Sequence, residues 1–161
     1  MATPPQKTLP VAEQTTFTED GPVQHTISLP PEVLELLLKT EAGKQGMDFA
    51  GDSLEEHPAQ MFRAAQVSLK DRNEVDAVVI GVCPMCGADQ GWFWVVRSVY
   101  KNPKVVLFTG GNSLALLRSE TNGYPNIRSI LSLASQTRNS VYRFDGQQYK
   151  LWKEKWTENP N

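Results

Sequence analysis

Two thiols stand in Cys83-Pro84-Met85-Cys86, the spacing used by thiol-disulfide oxidoreductases, whose first thiolate is activated by the N-terminus of a following helix. The surroundings oppose that use. An apolar run, Val75 to Val82, precedes the pair, and Gly87-Ala88-Asp89-Gln90-Gly91 leads into another strand-like run, so no helix dipole is at hand to lower a thiol pKa. A disulfide is favoured, since Pro84 suits the first central position of the tight turn that would close it; reduced thiols, redox catalysis and metal binding remain as alternatives. Two cysteines exclude a four-thiolate zinc site within one chain, and a mixed site would have to recruit His25 and His57.

Phe49-Ala50-Gly51-Asp52-Ser53-Leu54 resembles the first block of the GDSL hydrolases, in which the serine is a nucleophile activated by histidine. That chemistry needs a base within hydrogen-bond reach and an acid to orient it. No histidine follows His57, and Lys44-Gln45-Gly46-Met47-Asp48 is not the buried strand that precedes the block in that family. The motif therefore reads as a coincidence. Asp48, Asp52, Glu55, Glu56 and His57 would hold a divalent ion only if a turn gathered them; a charge run of this kind reads as a solvated loop. No metal or cofactor is expected.

The remaining candidates are aromatic and basic. Trp92 and Trp94 share one face of a strand while Phe93 takes the other. With Trp152 and Trp156, flanked by Lys150, Lys153 and Lys155, and with Arg128 and Arg143, they make up a candidate partner-binding set. The alternative is that Trp92 and Trp94 fill the core; Trp156 is open to either use. Charge supports a polarised molecule: residues 1 to 90 hold 6 Lys/Arg against 14 Asp/Glu, and residues 91 to 161 hold 10 against 4, within a net charge of -2. The two halves either neutralise each other or leave a basic face for an acidic partner. The chain as a whole lacks the basic excess expected of a nucleic-acid binder.

These residues must be carried by a chain of 161 residues, the size of one domain. Residues 1 to about 24, rich in Pro, Thr, Gln and Glu without apolar period, read as a flexible tail, and 25 to 161 as a single domain. Met1-Ala2-Thr3-Pro4-Pro5 has neither a basic start nor an apolar stretch; it reads as the tail left once a signal has been removed, a cytoplasmic protein with a disordered start being the alternative. Pro30-Pro31-Glu32 opens an amphipathic helix at about 31 to 41, built on Val33, Leu34, Leu37 and Leu38. Gly43 to Glu56, with three glycines and scattered acids, reads as a loop, with a short helical turn as the alternative. No apolar run approaches the roughly 20 residues of a membrane span.

From Phe62 the pattern becomes short β-branched and aromatic runs: Phe62 to Leu69, Val75 to Val82, Trp92 to Tyr100, Val105 to Thr109, Leu114 to Ser119, Ile127 to Ala134, Ser140 to Phe144 and Gln148 to Trp152. Pro58-Ala59-Gln60-Met61 could equally open a second helix over the first of these. Turn formers such as Asn102-Pro103, Gly110-Gly111-Asn112, Asn122-Gly123 and Asp145-Gly146 separate the runs. Links so short require antiparallel neighbours. The expected fold is α+β, mainly an antiparallel β meander with one N-terminal amphipathic helix.

Three segments together carry a family resemblance. Val67-Ser68-Leu69-Lys70-Asp71-Arg72-Asn73-Glu74-Val75-Asp76-Ala77-Val78-Val79-Ile80-Gly81 resembles the strand-turn-strand unit of FG-GAP or VCBS-type repeats, Thr121 to Ile127 is similar to its Gly-Tyr-Pro-Asp-Ile variant, and Val141 to Tyr149 to the closing hairpin. Small β-rich proteins exported by bacteria combine these pieces. The resemblance implies export, to periplasm or outside, and a β-sheet over roughly residues 62 to 150. It does not carry over calcium: the first turn offers Asp71 between Lys70 and Arg72, and Asn126 stands where the repeat has Asp. The function expected is that of an exported binding module, inhibitory or immunity-like, acting on a protein partner through a sheet face or its turns; the alternative is a thiol-active protein using Cys83 and Cys86. Oligomeric state has no signature in the sequence.

Overall fold

In the computed structural model, residues 14–50, 58–70, 74–82 and 90–160 are described, without the side chains of 46–50 and 58. Among them the strands are, in order, β1 (Thr16–Thr18), β2 (Phe62–Val67), β3 (Asp76–Gly81), β4 (Gly91–Arg97), β5 (Lys104–Gly111), β6 (Ser113–Thr121), β7 (Tyr124–Ser132), β8 (Gln136–Phe144) and β9 (Tyr149–Glu158). Every pairing is antiparallel. The meander is, however, cut in two. One sheet runs β2-β3-β4-β5 and the other β1-β6-β7-β8-β9. The break falls at Gly110-Gly111-Asn112, where the chain crosses from one sheet to the other instead of folding back as a hairpin. A Cβ on Gly111 would lie 2.9 Å from the Ile130 carbonyl oxygen, and the Asn112 N–H donates to that same oxygen at 2.7 Å. The corner thus depends on a glycine that lets the two sheets touch.

Alternation along β3 shows how the layers form. Val78 and Ile80 point to a core shared by both sheets with Phe93, Val95, Leu114, Ile127 and Phe144. Ala77 and Val79 point the opposite way, into a second core with Trp94, Val96, Val33 and Leu37. All six residues of β3 are buried, as befits a strand covered on both faces. The cover on the second face comes from α1 (Pro31–Leu38) and α2 (Glu41–Ala50). The architecture is helices on a four-stranded sheet on a five-stranded sheet. No helix among the described residues is long and apolar enough to cross a membrane.

Two of the sequence expectations need correction. Residues 41–50 form a ten-residue helix, not a loop or a short helical turn, and include two of the three glycines, Gly43 and Gly46. Gly43 is a packing residue: a Cβ there would meet the Leu37 carbonyl oxygen at 2.3 Å, so the glycine lets α2 approach the end of α1. Order also begins before Ile27. Thr16–Thr18 pairs with Ser113, Leu114 and Ala115, and Phe17 is fully buried between the sheets, so the flexible-tail reading does not hold over these residues. At Phe62 the strand reading holds and the alternative of a second helix does not, since residues 58–61 form a single 3-10 turn that ends as β2 starts.

Candidate functional site

The five-stranded sheet has an outer face that no other described element covers, and the register identifies its residues. Arg128 of β7 pairs with Val141 of β8, which pairs with Lys153 of β9; residues directly opposite in an antiparallel pair point to the same side. Two residues on, Arg143 opposes Lys150, and in the other direction Asn139 opposes Lys155. The neighbours Tyr142 and Phe144 point inward to the core. A basic face therefore spans the last three strands. Among the described residues no carboxylate pairs with Arg128, Arg143, Lys153 or Lys155.

At its centre Arg143 and Trp152 stack. The guanidinium carbon lies 3.2 Å from the indole centroid, and the Lys153 ammonium 4.1 Å from it. The position of Trp152 comes from a bulge: Lys153 opposes Val141 but Leu151 opposes Tyr142, which leaves Trp152 as the extra residue on β9. Strict period two would have put Trp152 on the same face as Trp156. The bulge separates them.

Trp156 opposes Arg138 on the inward side of the sheet. The Arg138 guanidinium lies 5.9 Å from the Trp156 ring, donates to the Gly110 carbonyl at 2.9 Å, and stands 3.9 Å from the Glu154 carboxylate. Glu154 also accepts from the Ser140 hydroxyl at 3.1 Å. On this side Arg138 and Glu154 are partnered, in contrast with the outer face.

The turn joining β8 to β9 is held by Asp145, whose carboxylate accepts the backbone N–H groups of Gln147 at 2.8 Å and Gln148 at 2.9 Å, with Lys150 at 3.3 Å. Those N–H bonds, that of Gln148 first, with help from Lys150, keep the carboxyl below the usual carboxylate range. Gly146 supplies a positive φ of 105° that the turn requires.

The sequence-derived candidates are thus divided. Arg128, Arg143 and Trp152 share the outer face; Trp156 lies on the opposite side. Trp92 and Trp94 leave the partner-binding set. Trp94 is fully buried, stacked on Phe108 at 5.5 Å and edge-on to Phe62 at 5.3 Å, and Trp92 is part-buried against Phe108 at 5.2 Å. They anchor the helical layer. Cys83 and Cys86, Ser53, Asp52, Glu55, Glu56, His57 and the turn at Asp71 lie outside the described residues. His25 is exposed at a positive φ of 49°. Sequence reasoning missed Arg138 and Glu154, whose only signal is their alternation within strands that carry charge on both faces. No family model matches the chain, and no curated protein or solved structure matches it.

Proposed function

We propose that this chain is an exported binding module, inhibitory or immunity-like in action, that docks an acidic protein partner on the outer face of its five-stranded sheet. The observation that supports this reading is the Arg143 guanidinium stacked on a Trp152 that is 43% exposed, within a face whose other charges are arginine and lysine, of which Lys150 pairs with Asp145 of the adjoining turn. Tryptophan and arginine are the side chains most enriched in interface hot spots. The stack also fixes the arginine before any partner arrives, which reduces the side-chain entropy lost on docking. A face of one sign steers an acidic partner during encounter and rejects a basic one.

The test is capture from bacterial periplasmic extract on immobilised wild type and on the Arg143→Glu, Lys153→Glu double variant, in parallel across a salt series. The reading expects an acidic protein retained by wild type, released as salt rises, and lost from the variant at unchanged melting temperature. Capture that ignores both salt and charge reversal would overturn it.

A further inference from the structure

β9 is the outermost strand of the five-stranded sheet, ten residues long and exposed at all but Tyr149, and among the described residues no strand pairs with its outer edge. An unpaired edge is a template for another strand. Its regular part lies beyond the bulge, from Lys153 to Glu158. The Asn159 N–H donates to the Ser135 carbonyl at 2.9 Å, continuing the register in which Glu158 opposes Gln136. Hydrogen-bonded pairs alternate, so Thr157, Lys155 and Lys153 direct their backbone groups toward β8, and Glu154, Trp156 and Glu158 direct theirs away.

The charges along this segment select its occupant. Two copies pairing antiparallel about Glu154 would set Glu154 against itself and Lys153 against Lys155; about Lys155, lysine would meet lysine; about Trp156, Glu154 would meet Glu158. Like charges directly opposite are destabilising, so each such register of self-pairing is penalised. On the outer side, Lys153 and Lys155 continue the basic face and favour acids directly opposite. On the inner side Trp156, 46% exposed, favours an apolar neighbour.

We infer that the free edge of β9 between Lys153 and Glu158 accepts, by strand addition, an extended segment of the partner in which acidic residues alternate with apolar ones. This rests on the docking reading above and specifies how the partner is held: by its backbone on the edge, with its acids over the lysines.

The probe is a ten-residue peptide alternating Glu and Val, used alongside the same peptide N-methylated at its backbone amides, which keeps side chains and charge but loses the donors. Strand addition expects the unmethylated peptide to bind and to slow exchange at the outward amides of Glu154, Trp156 and Glu158. Methylation should weaken binding by at least about tenfold, the scale of one or two lost hydrogen bonds. Equal binding of the two peptides, no protection at those three amides, or no binding of the unmethylated peptide would overturn the inference. Capture of an acidic protein that still depends on Arg143 and Lys153 would then leave docking by side chains alone, so the two readings fail separately.

Discussion

The indole N–H of Trp94 donates to the Thr40 hydroxyl at 3.0 Å, tying the centre of β4 to the corner between α1 and α2. The same hydroxyl donates to the Leu37 carbonyl and accepts the Gly43 N–H at 3.4 Å, so one side chain closes α1, opens α2 and satisfies a buried indole. Thr40→Val keeps the volume but leaves the Trp94 N–H unpaired and the helix uncapped. It should cost about 1–3 kcal/mol, the range for an orphaned buried donor. Thr40→Ser should cost less. Urea unfolding of both variants followed by Trp fluorescence measures the difference.

Phe17 is fully buried in the core between the sheets, although it belongs to a strand of only three residues. Phe17→Ala should destabilise the fold by about 3–5 kcal/mol, as for other buried phenylalanines. A chain shortened by its first 13 residues, which leaves β1 in place, should melt near the full-length temperature, whereas removal through Asp20 should lower it clearly. Comparable melting of both truncations would show that β1 contributes little.

Arg143→Ala removes a cation from an exposed ring, a contact worth about 0.5–1 kcal/mol at such sites. Stability should change by no more than that, while partner capture is lost. Arg143→Lys should restore part of the capture, since charge returns without the planar stack. A melting scan beside the capture assay separates the two effects.

Asp145 contributes to stability through its charged form, because its folded pKa is depressed by the N–H groups of Gln148 and Gln147 and by Lys150. A depressed carboxylate supplies its stabilisation above the unfolded pKa and loses it as pH falls through the folded value. Asp145→Asn should therefore flatten the acid limb of the melting temperature against pH and leave the neutral-to-alkaline limb parallel to wild type. Carboxyl chemical shifts followed from pH 7 downward should place Asp145 below an unstructured aspartate; a midpoint at or above the unstructured value contradicts the turn geometry.

Replacing Cys83 and Cys86 together by serine should leave capture through Arg143 and Lys153 unchanged. Loss of function in a folded double variant, together with a thiolate formed well below the usual cysteine range, would shift the reading to thiol chemistry.

The strands after Phe62 were legible because β-branched and aromatic runs alternate with turn residues whose conformations the structure uses, such as Asn122 at φ 55° and Gly123 at φ 80° in the two-residue link of β6 to β7. β1 was not legible: Thr16-Phe17-Thr18 has no local period, and its order comes from contacts with residues almost a hundred positions away. α2 was hidden because glycine signals a breaker, yet here it meets another helix. The division into two sheets was equally hidden, since Gly110-Gly111-Asn112 has the composition of a hairpin turn. Arg128, Arg143 and Trp152 were named from composition, but their grouping with Lys153 and the exclusion of Trp156 depend on one bulge, and a bulge has no reliable mark in a single sequence.

The pairing of Thr16 with Ala115 fixes the order in which the fold can close. Strands β2 to β5 and β6 to β9 are each joined neighbour to neighbour, so both sets can assemble from contacts close in sequence. β1 is made first by the ribosome, but its partner is made almost a hundred residues later, and the entropy of closing so long a loop is met only once β6 is in place. Phe17 then enters the core only after β6 is in place. Until it does, Leu114, its partner across the two strands, lacks its neighbour, and the edge of β6 is open to pairing with another chain. A chain in which β6 has formed but β1 has not yet docked is thus the most exposed to misassembly.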